Sequence, residues 1–161
     1  MQNLIVSKIK PNPSGKDRTR FGGATAAQLG AEWVDIRNNG YISLSLDGIH
    51  LYHRAYRSNG FQFDWHLVCP LGGSLGPGQV LRVHSGEVRS LGVLHPNDQA
   101  GADRHLFTGR DVYVWNNAQA DEPMLWNPVG QVRVDSAEYD PYPPEGAVLV
   151  RSGAKLIRAA A

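Results

Sequence analysis

The stretch VYVWNNAQADEPMLWNPVGQVRVD, residues 112–135, contains two runs of alternating apolar residues around a polar middle. An alternation with a period of two is typical of β-strands, because successive side chains of a strand point to opposite faces. Strands are therefore predicted at 112–115, 124–126 and 131–134. The asparagine pair at 116–117 and the Asn-Pro-Val-Gly at 127–130 favour the intervening turns.

The same two-residue period recurs along the rest of the chain. Further strands are predicted at 32–37, 41–46, 49–53, 61–68 and 80–84, with glycine, proline and asparagine at the turns between them. Many short strands separated in this way predict an all-β sandwich. Residues 24–30 are helix-prone but short, and we interpret them as part of a mobile loop. Residues 85–111 are predicted to form an irregular excursion at one end.

Bulk composition limits the classes of protein. A length of 161 residues suits one domain, and 16 basic against 15 acidic residues give a net charge of +1, which creates no global attraction for nucleic acid or anionic membranes. The single cysteine, Cys69, cannot form an internal disulfide. No apolar run approaches about 18 residues, so we expect no membrane insertion. The first residues lack the features of a signal peptide, so the default expectation is a cytoplasmic protein.

Four motifs together resemble the lamin tail domain, the immunoglobulin-like module of nuclear lamins and of many bacterial proteins. They are AEWVDIRNNG at 31–40, LSLDGIHLY at 44–52, LGPGQVLRVHSG at 75–86, and VWNN at 114–117 followed by Asp121 and LWNPVGQVRVD at 125–135. The similarity spans about residues 4–139, and IKPNPSGKD at 9–17 resembles the entry strand of the bacterial members. The resemblance implies an immunoglobulin-like β-sandwich with Trp115 as a core anchor. It also implies contacts with proteins, chromatin or DNA, or the tethering of enzymes.

The resemblance divides the chain into two parts. Residues 1–140 are predicted to form the lamin-tail-like sandwich, and residues 141–161 a proline linker followed by a hairpin that turns at Ser152-Gly153. An isolated hairpin is marginal in water, so this one is expected to dock. It would complete an edge of its own sandwich or of a neighbouring subunit, and the second case would give a homo-oligomer. A frayed terminus is the alternative.

Candidate catalytic and metal-binding patterns are weak. Residues 72–76 match G-x-S-x-G, the nucleophile motif of hydrolases, but a proline-glycine turn and a strand follow where that motif needs a helix. His50 and His53 lie three apart on a predicted strand and should face opposite sides. The histidines at 84, 95 and 105 could converge with an aspartate at 98 or 103, although surface histidines are favoured. We therefore expect no catalytic residue, no metal ligand, no cofactor and no enzymatic activity.

The candidate contact residues are a tryptophan and a basic arm. Trp126 alternates with the core Leu125 and is the candidate partner-binding tryptophan, whereas Trp65 is expected to complete the core. Lys16, Arg18, Arg20 and Phe21 form the arm, which could contact phosphates or stack a base. The favoured function is a non-catalytic adaptor that binds a protein of unknown identity within a larger assembly. The alternative is a nucleic-acid-binding module that uses the arm, and a metal-dependent enzyme ranks third.

Overall fold

The computed structural model describes residues 3–16, 23–87 and 92–159. They form an all-β fold in which most of the described secondary structure lies in sheets. The strands are β1 (Leu4–Lys10), β2 (Trp33–Asn38), β3 (Leu44–Ser45), β4 (His50–Tyr56), β5 (Phe63–Pro70), β6 (Ser74–Leu75), β7 (Val80–His84), β8 (Arg104–Phe107), β9 (Met124–Asn127), β10 (Val132–Ser136), β11 (Leu149–Ser152) and β12 (Lys155–Arg158). The helices are α1 (Ala26–Gly30) and α2 (Pro96–Gln99).

Two main sheets arrange these strands. The larger sheet has the order β12-β11-β1-β2-β7-β8 and is antiparallel except for the parallel pair β7–β8. The smaller sheet has the antiparallel order β10-β9-β4-β5, and β3 pairs with β6 in a separate two-stranded ladder. One hydrophobic core receives side chains from both main sheets, as in a sandwich.

Alternation along the strands supplies this core. Val6 and Ile36 of the larger sheet and Leu51 and Leu125 of the smaller sheet are fully buried members of it. Trp115, which precedes β9 in a loop, is also buried in the core, in agreement with its predicted role as an anchor. Complete burial of such side chains removes them from water and is the main stabilising contribution to a domain of this size.

The hairpin of β11 and β12 belongs to the larger sheet of its own chain. Lys8 lies opposite Val150 in an antiparallel ladder, and β12 continues the sheet beyond β11. Arg151 also donates two hydrogen bonds to the Asp135 carboxylate of β10, at 2.7 and 3.1 Å, and Asp135 accepts the amide of Val6. The tail is therefore joined to both main sheets.

Three predictions about local structure are wrong. Residues 24–30 hold α1, not a mobile loop, because Thr25 and Gln28 form a reciprocal capping box at its start. Residues 112–115 lie outside the strands, because the amides of Val114 and Trp115 donate to the carboxylate of Glu32 instead of to a ladder. The excursion at 85–111 is less irregular than predicted, since it contains α2 and β8.

In the described part of the chain, no helix has the length and apolar character needed to cross a membrane.

Candidate binding surface on the four-stranded sheet

The outer face of the four-stranded sheet carries a concentration of aromatic side chains. Leu51 and Leu125 point into the core, so the alternating neighbours Tyr52 and Met124, which are paired across β4 and β9, point outward. Trp126 follows two residues after Met124 and takes the same face. These positions form one side of a concave site on the surface.

An irregularity in the pairing of β4 with β5 determines which side chains of the edge strand β5 point outward. The pairing of β4 with β5 shifts between Leu51 and Tyr52, and opposite this point both Val68 and Cys69 belong to the core. Such a shift reverses the face on which the preceding residues of a strand lie. Trp65 therefore points outward, where its ring centroid lies 5.4 Å from that of Phe63.

We call the resulting concavity the aromatic groove. It is lined by Tyr52, Trp65, Met124, Trp126 and Arg133 and has a volume of about 340 Å³. Trp65 and Trp126 are half-buried, and Met124, although it faces outward, is covered by the larger side chains around it. The groove thus offers mainly aromatic faces, which favour contact with apolar and aromatic groups.

Arg133 supplies the positive charge of the groove. Its position on β10 is opposite Trp126 of β9, and its guanidinium lies 5.5 Å from the centroid of the Trp65 ring. It also donates to Ser136 Oγ at 3.2 Å and to Glu122 Oε2 at 3.4 Å, while its side chain stays 49% exposed. A guanidinium over an indole is a cation–π arrangement, and this one remains accessible to an incoming anion.

A partly buried ion network borders the groove. Arg54 donates to Glu122 at 2.7 Å and to Glu138 at 2.6 Å, and its guanidinium lies 4.7 Å from the Phe63 ring centroid. The Arg54 side chain is 12% exposed. These ion pairs join β4 to the residue pair before β9 and to the segment after β10.

The structure places the predicted contact residues in different environments. Trp126 lies in the aromatic groove. Trp65 was expected in the core, and this is wrong because the register shift in β5 turns it outward into the groove. Arg18, Arg20 and Phe21 lie outside the described residues. The prediction that they contact a partner therefore stays a prediction.

Lys16, the remaining residue of the predicted arm, has a buried ammonium. Its Nζ lies 2.5 Å from Glu32 Oε2 and donates to the carbonyls of Pro11 and Trp115 at 2.8 and 2.5 Å. The Lys16 side chain is only 8% exposed. Because these partners take up the donors of the ammonium, Lys16 fastens the loop before residue 17 to the Trp115 loop rather than extending into solvent.

Glu32 is the carboxylate at the centre of this arrangement. It accepts hydrogen bonds from Lys16, from Ser85 Oγ at 2.5 Å, and from the amides of Val114 and Trp115 at 2.7 and 3.3 Å. Complete burial raises the pKa of Glu32, and the ammonium and the other donors oppose that rise. The saturated partners give this pair a structural role.

Asn116 of the VWNN motif belongs to a second network of hydrogen bonds. Asp121 accepts the Asn116 amide at 3.0 Å, the Asn116 Nδ2 at 2.8 Å and the Arg54 amide at 2.8 Å. Tyr139 donates its hydroxyl to the carbonyl of Asn116 at 2.7 Å. These hydrogen bonds pair the polar groups in the middle of residues 112–135. They hold the loop in the shape that places Trp115 in the core.

The histidines are distributed over several sites. His50 faces Tyr52, with ring centroids 6.4 Å apart, whereas His53 contacts Trp115 at 5.9 Å, so the two point to opposite sides of β4 as expected. His84 and His105 meet at a nitrogen–nitrogen distance of 2.8 Å, but His95 accepts the Asn97 amide at the start of α2. Within residues 3–16, 23–87 and 92–159, no three His, Cys, Asp or Glu side chains are grouped so that they could hold a metal ion.

The G-x-S-x-G stretch lies in a strand-and-turn context. Ser74 belongs to β6, where it pairs with Ser45, and its carbonyl accepts Arg104 Nη1 at 2.9 Å. Gly73 before it has a φ of +80°, and the guanidinium of Arg104 lies directly beside its Cα. This glycine is needed because a side chain there would meet both backbone strain and the guanidinium.

Sequence reasoning identified one of the five groove residues. Trp126 has a local signal, its alternation with Leu125, but the meeting of Tyr52, Trp65 and Arg133 depends on strand register. Comparison of the chain with protein-family models finds no matching family, and a search among curated proteins finds no match. We therefore infer the function from the geometry and chemistry of the groove.

Proposed function

We propose that the chain is a lamin-tail-type, immunoglobulin-like β-sandwich that acts as a non-catalytic interaction module and binds a protein partner through the aromatic groove. The all-β architecture agrees with this proposal at the level of fold class. The motif residues also support it, since Trp115 packs in the core while Asn116 and Asp121 close the loop behind it. These are the residues on which the family resemblance depends.

The observation that carries the proposed activity is the composition of the groove. The outward face of a sheet in a sandwich is normally polar, because it faces water. Here that face has Tyr52, Trp65 and Trp126 around a concavity, with Arg133 in its wall. Tryptophan, tyrosine and arginine are the residue types most enriched at the energetic centres of protein interfaces, where they fill desolvated pockets.

The test is retention of a partner from a lysate of the source cell. The immobilised chain is compared with Trp126→Ala, which removes one wall of the groove, and with Tyr41→Ala as a matched control. Tyr41 is an aromatic side chain that is 96% exposed and lies outside the groove. We expect the same protein to be retained by the wild type and the control and lost with Trp126→Ala. Equal retention by all three chains would contradict the proposal.

A further inference from the structure

Tyr142 is presented to solvent by a strained turn. Its side chain is 78% exposed, and its φ of +60° places a bulky residue in the left-handed region. The turn is held because the Tyr142 amide donates to the Asn117 carbonyl at 2.6 Å and the neighbouring Pro143 is buried. Strain that the surrounding structure maintains is a feature that points to function.

The segment around Tyr142 is acidic. Its sequence is DPYPPE at 140–145, with Asp140 and Glu145 at the ends and no basic residue. Asp140 is 72% exposed and pairs with the half-exposed Lys155, and Glu145 accepts the amide of Gly15 at an exposed position. Exposed pairs of this kind contribute little stability and exchange partners readily. We call residues 140–145 the tyrosine knob.

The knob and the aromatic groove are complementary in chemistry. The knob offers one exposed aromatic ring between prolines and two carboxylates, and the groove offers aromatic faces with Arg133 as its charged lining residue. Aromatic grooves favour an exposed aromatic ring, and the knob loses little entropy on binding because prolines flank Tyr142 and its turn is already fixed. The carboxylates of the knob match the positive charge of the groove.

The two features lie on different parts of the molecule. Tyr142 borders a depression that Leu149 and Leu156 of the larger sheet also line, whereas the groove is on the outer face of the smaller sheet. A knob that occupies the groove would therefore come from a second chain. A contact between two different surfaces is a head-to-tail contact. It leaves one free knob and one free groove at the ends of the assembly, and each of these can bind a further copy of the chain.

We propose that the aromatic groove binds the tyrosine knob of a second copy of this chain, so that the protein assembles head to tail. The inference rests on the proposed function, because it names the occupant of the same groove. Tyr142 enters between Trp65 and Trp126, and a carboxylate of the knob pairs with Arg133.

The experiment measures molar mass by light scattering over a rising concentration series up to about 1 mM, the weak end of protein association. The wild type is expected to grow beyond a dimer. Trp126→Ala removes the groove and Tyr142→Asn removes the knob, while asparagine tolerates the left-handed backbone. Each variant alone is expected to stay monomeric. Mixed in equal amounts, they are expected to form a dimer and nothing larger, because only one productive contact remains.

Two further variants keep the test decisive if Trp126→Ala does not fold. Arg133→Glu changes a half-exposed side chain and is expected to abolish growth, whereas Tyr41→Ala, outside both features, is expected to leave it unchanged. A monomeric wild type, or growth that persists in Tyr142→Asn, would overturn the inference. A monomeric wild type that still retains a lysate protein in a Trp126-dependent manner would leave the proposed function intact, so the two failures are distinguishable.

Discussion

His84 of β7 and His105 of β8 share a hydrogen bond whose direction a third group determines. His84 Nδ1 lies 2.6 Å from the carbonyl oxygen of Gly30, and a carbonyl only accepts, so Nδ1 carries the proton. His84 Nε2 is then the acceptor for His105 Nδ1–H at 2.8 Å when both rings are neutral. The pair joins β8 to the end of α1, and its hydrogen bond is lost when both imidazoles are protonated, because neither facing nitrogen can then accept.

We expect acid to destabilise the fold through this pair. Burial lowers the pKa of His84 to about 4 from 6.5, and burial also lowers the pKa of His105. Because the unfolded chain binds these protons more tightly, the stability is present above pH 6.5 and is lost as pH falls towards 4. For His84 the contribution is about 3 kcal/mol. Chemical denaturation at about pH 7 and pH 5 should show about 2 kcal/mol of this loss, because pH 5 still lies above the pKa of His84 in the folded chain.

Replacement of the histidine provides the control for this pH dependence. His84→Gln is expected to flatten the loss of stability between the two pH values, whereas His66→Gln, at an exposed position of β5, should leave the loss as in the wild type. An unchanged slope in His84→Gln would show that other groups cause the acid sensitivity.

Trp115→Ala is expected to lower the free energy of unfolding by about 3–5 kcal/mol, because it leaves a large cavity in the core. Trp115 is 3% exposed and packs against the edge of the His53 ring. The shift of the urea midpoint measures the loss. Tyr41→Ala is the matched control, and a midpoint that moves equally little in both variants would contradict the structural role of Trp115.

The Lys16–Glu32 pair can be tested by a double-mutant cycle. Lys16→Met leaves a buried carboxylate without its counter-charge and is expected to cost about 3–5 kcal/mol. Lys16→Met combined with Glu32→Gln should be less destabilised than the sum of the single variants, because neither charge is then left alone. Additive losses, measured by denaturation, would mean that the two groups act independently.

The docked tail should be protected from hydrogen exchange. The amide of Leu156 donates to the Glu138 carbonyl at 2.8 Å, and the Leu156 side chain is 2% exposed. Its exchange is therefore expected to be much slower than in an unstructured peptide. A synthetic peptide of residues 148–158 is the reference for an undocked tail, and equal rates in the peptide and the protein would show fraying.

Local patterns predicted a substantial part of the fold. The strand at 80–84 has the expected position, and the terminal hairpin turns at Gly153-Ala154, one residue later than predicted, because alternation and glycine act within a few residues. The start of α1 also had a local signal, since Thr25 and Gln28 have the spacing of a capping box. The strand predicted at 41–46 is limited to Leu44–Ser45.

The arrangement of the groove and of Lys16 depends on contacts between residues that are distant in sequence, and local patterns do not contain this information. β8 is joined to β7 in a parallel pair after a long connection, and the partner of such a strand is not set by its neighbours in sequence. Trp65 faces outward because of one register shift, which no residue spacing announces. Lys16 lies in a stretch of sequence that resembles a solvent-exposed basic arm. It is a buried cation because Glu32 and the Trp115 loop contact its ammonium group in the folded chain.

The position of β1 between β2 and β11 affects how the chain folds while it is being synthesised. β1 gains β2 as a neighbour early, but Lys8 and Ile9 must wait for Val150 and Leu149, which are synthesised much later. Until then one edge of β1 offers unpaired amides and carbonyls, which neighbouring nascent chains on the same messenger could capture. The large sequence separation of these partners also raises the entropic cost of closing the larger sheet, which is a factor that slows folding.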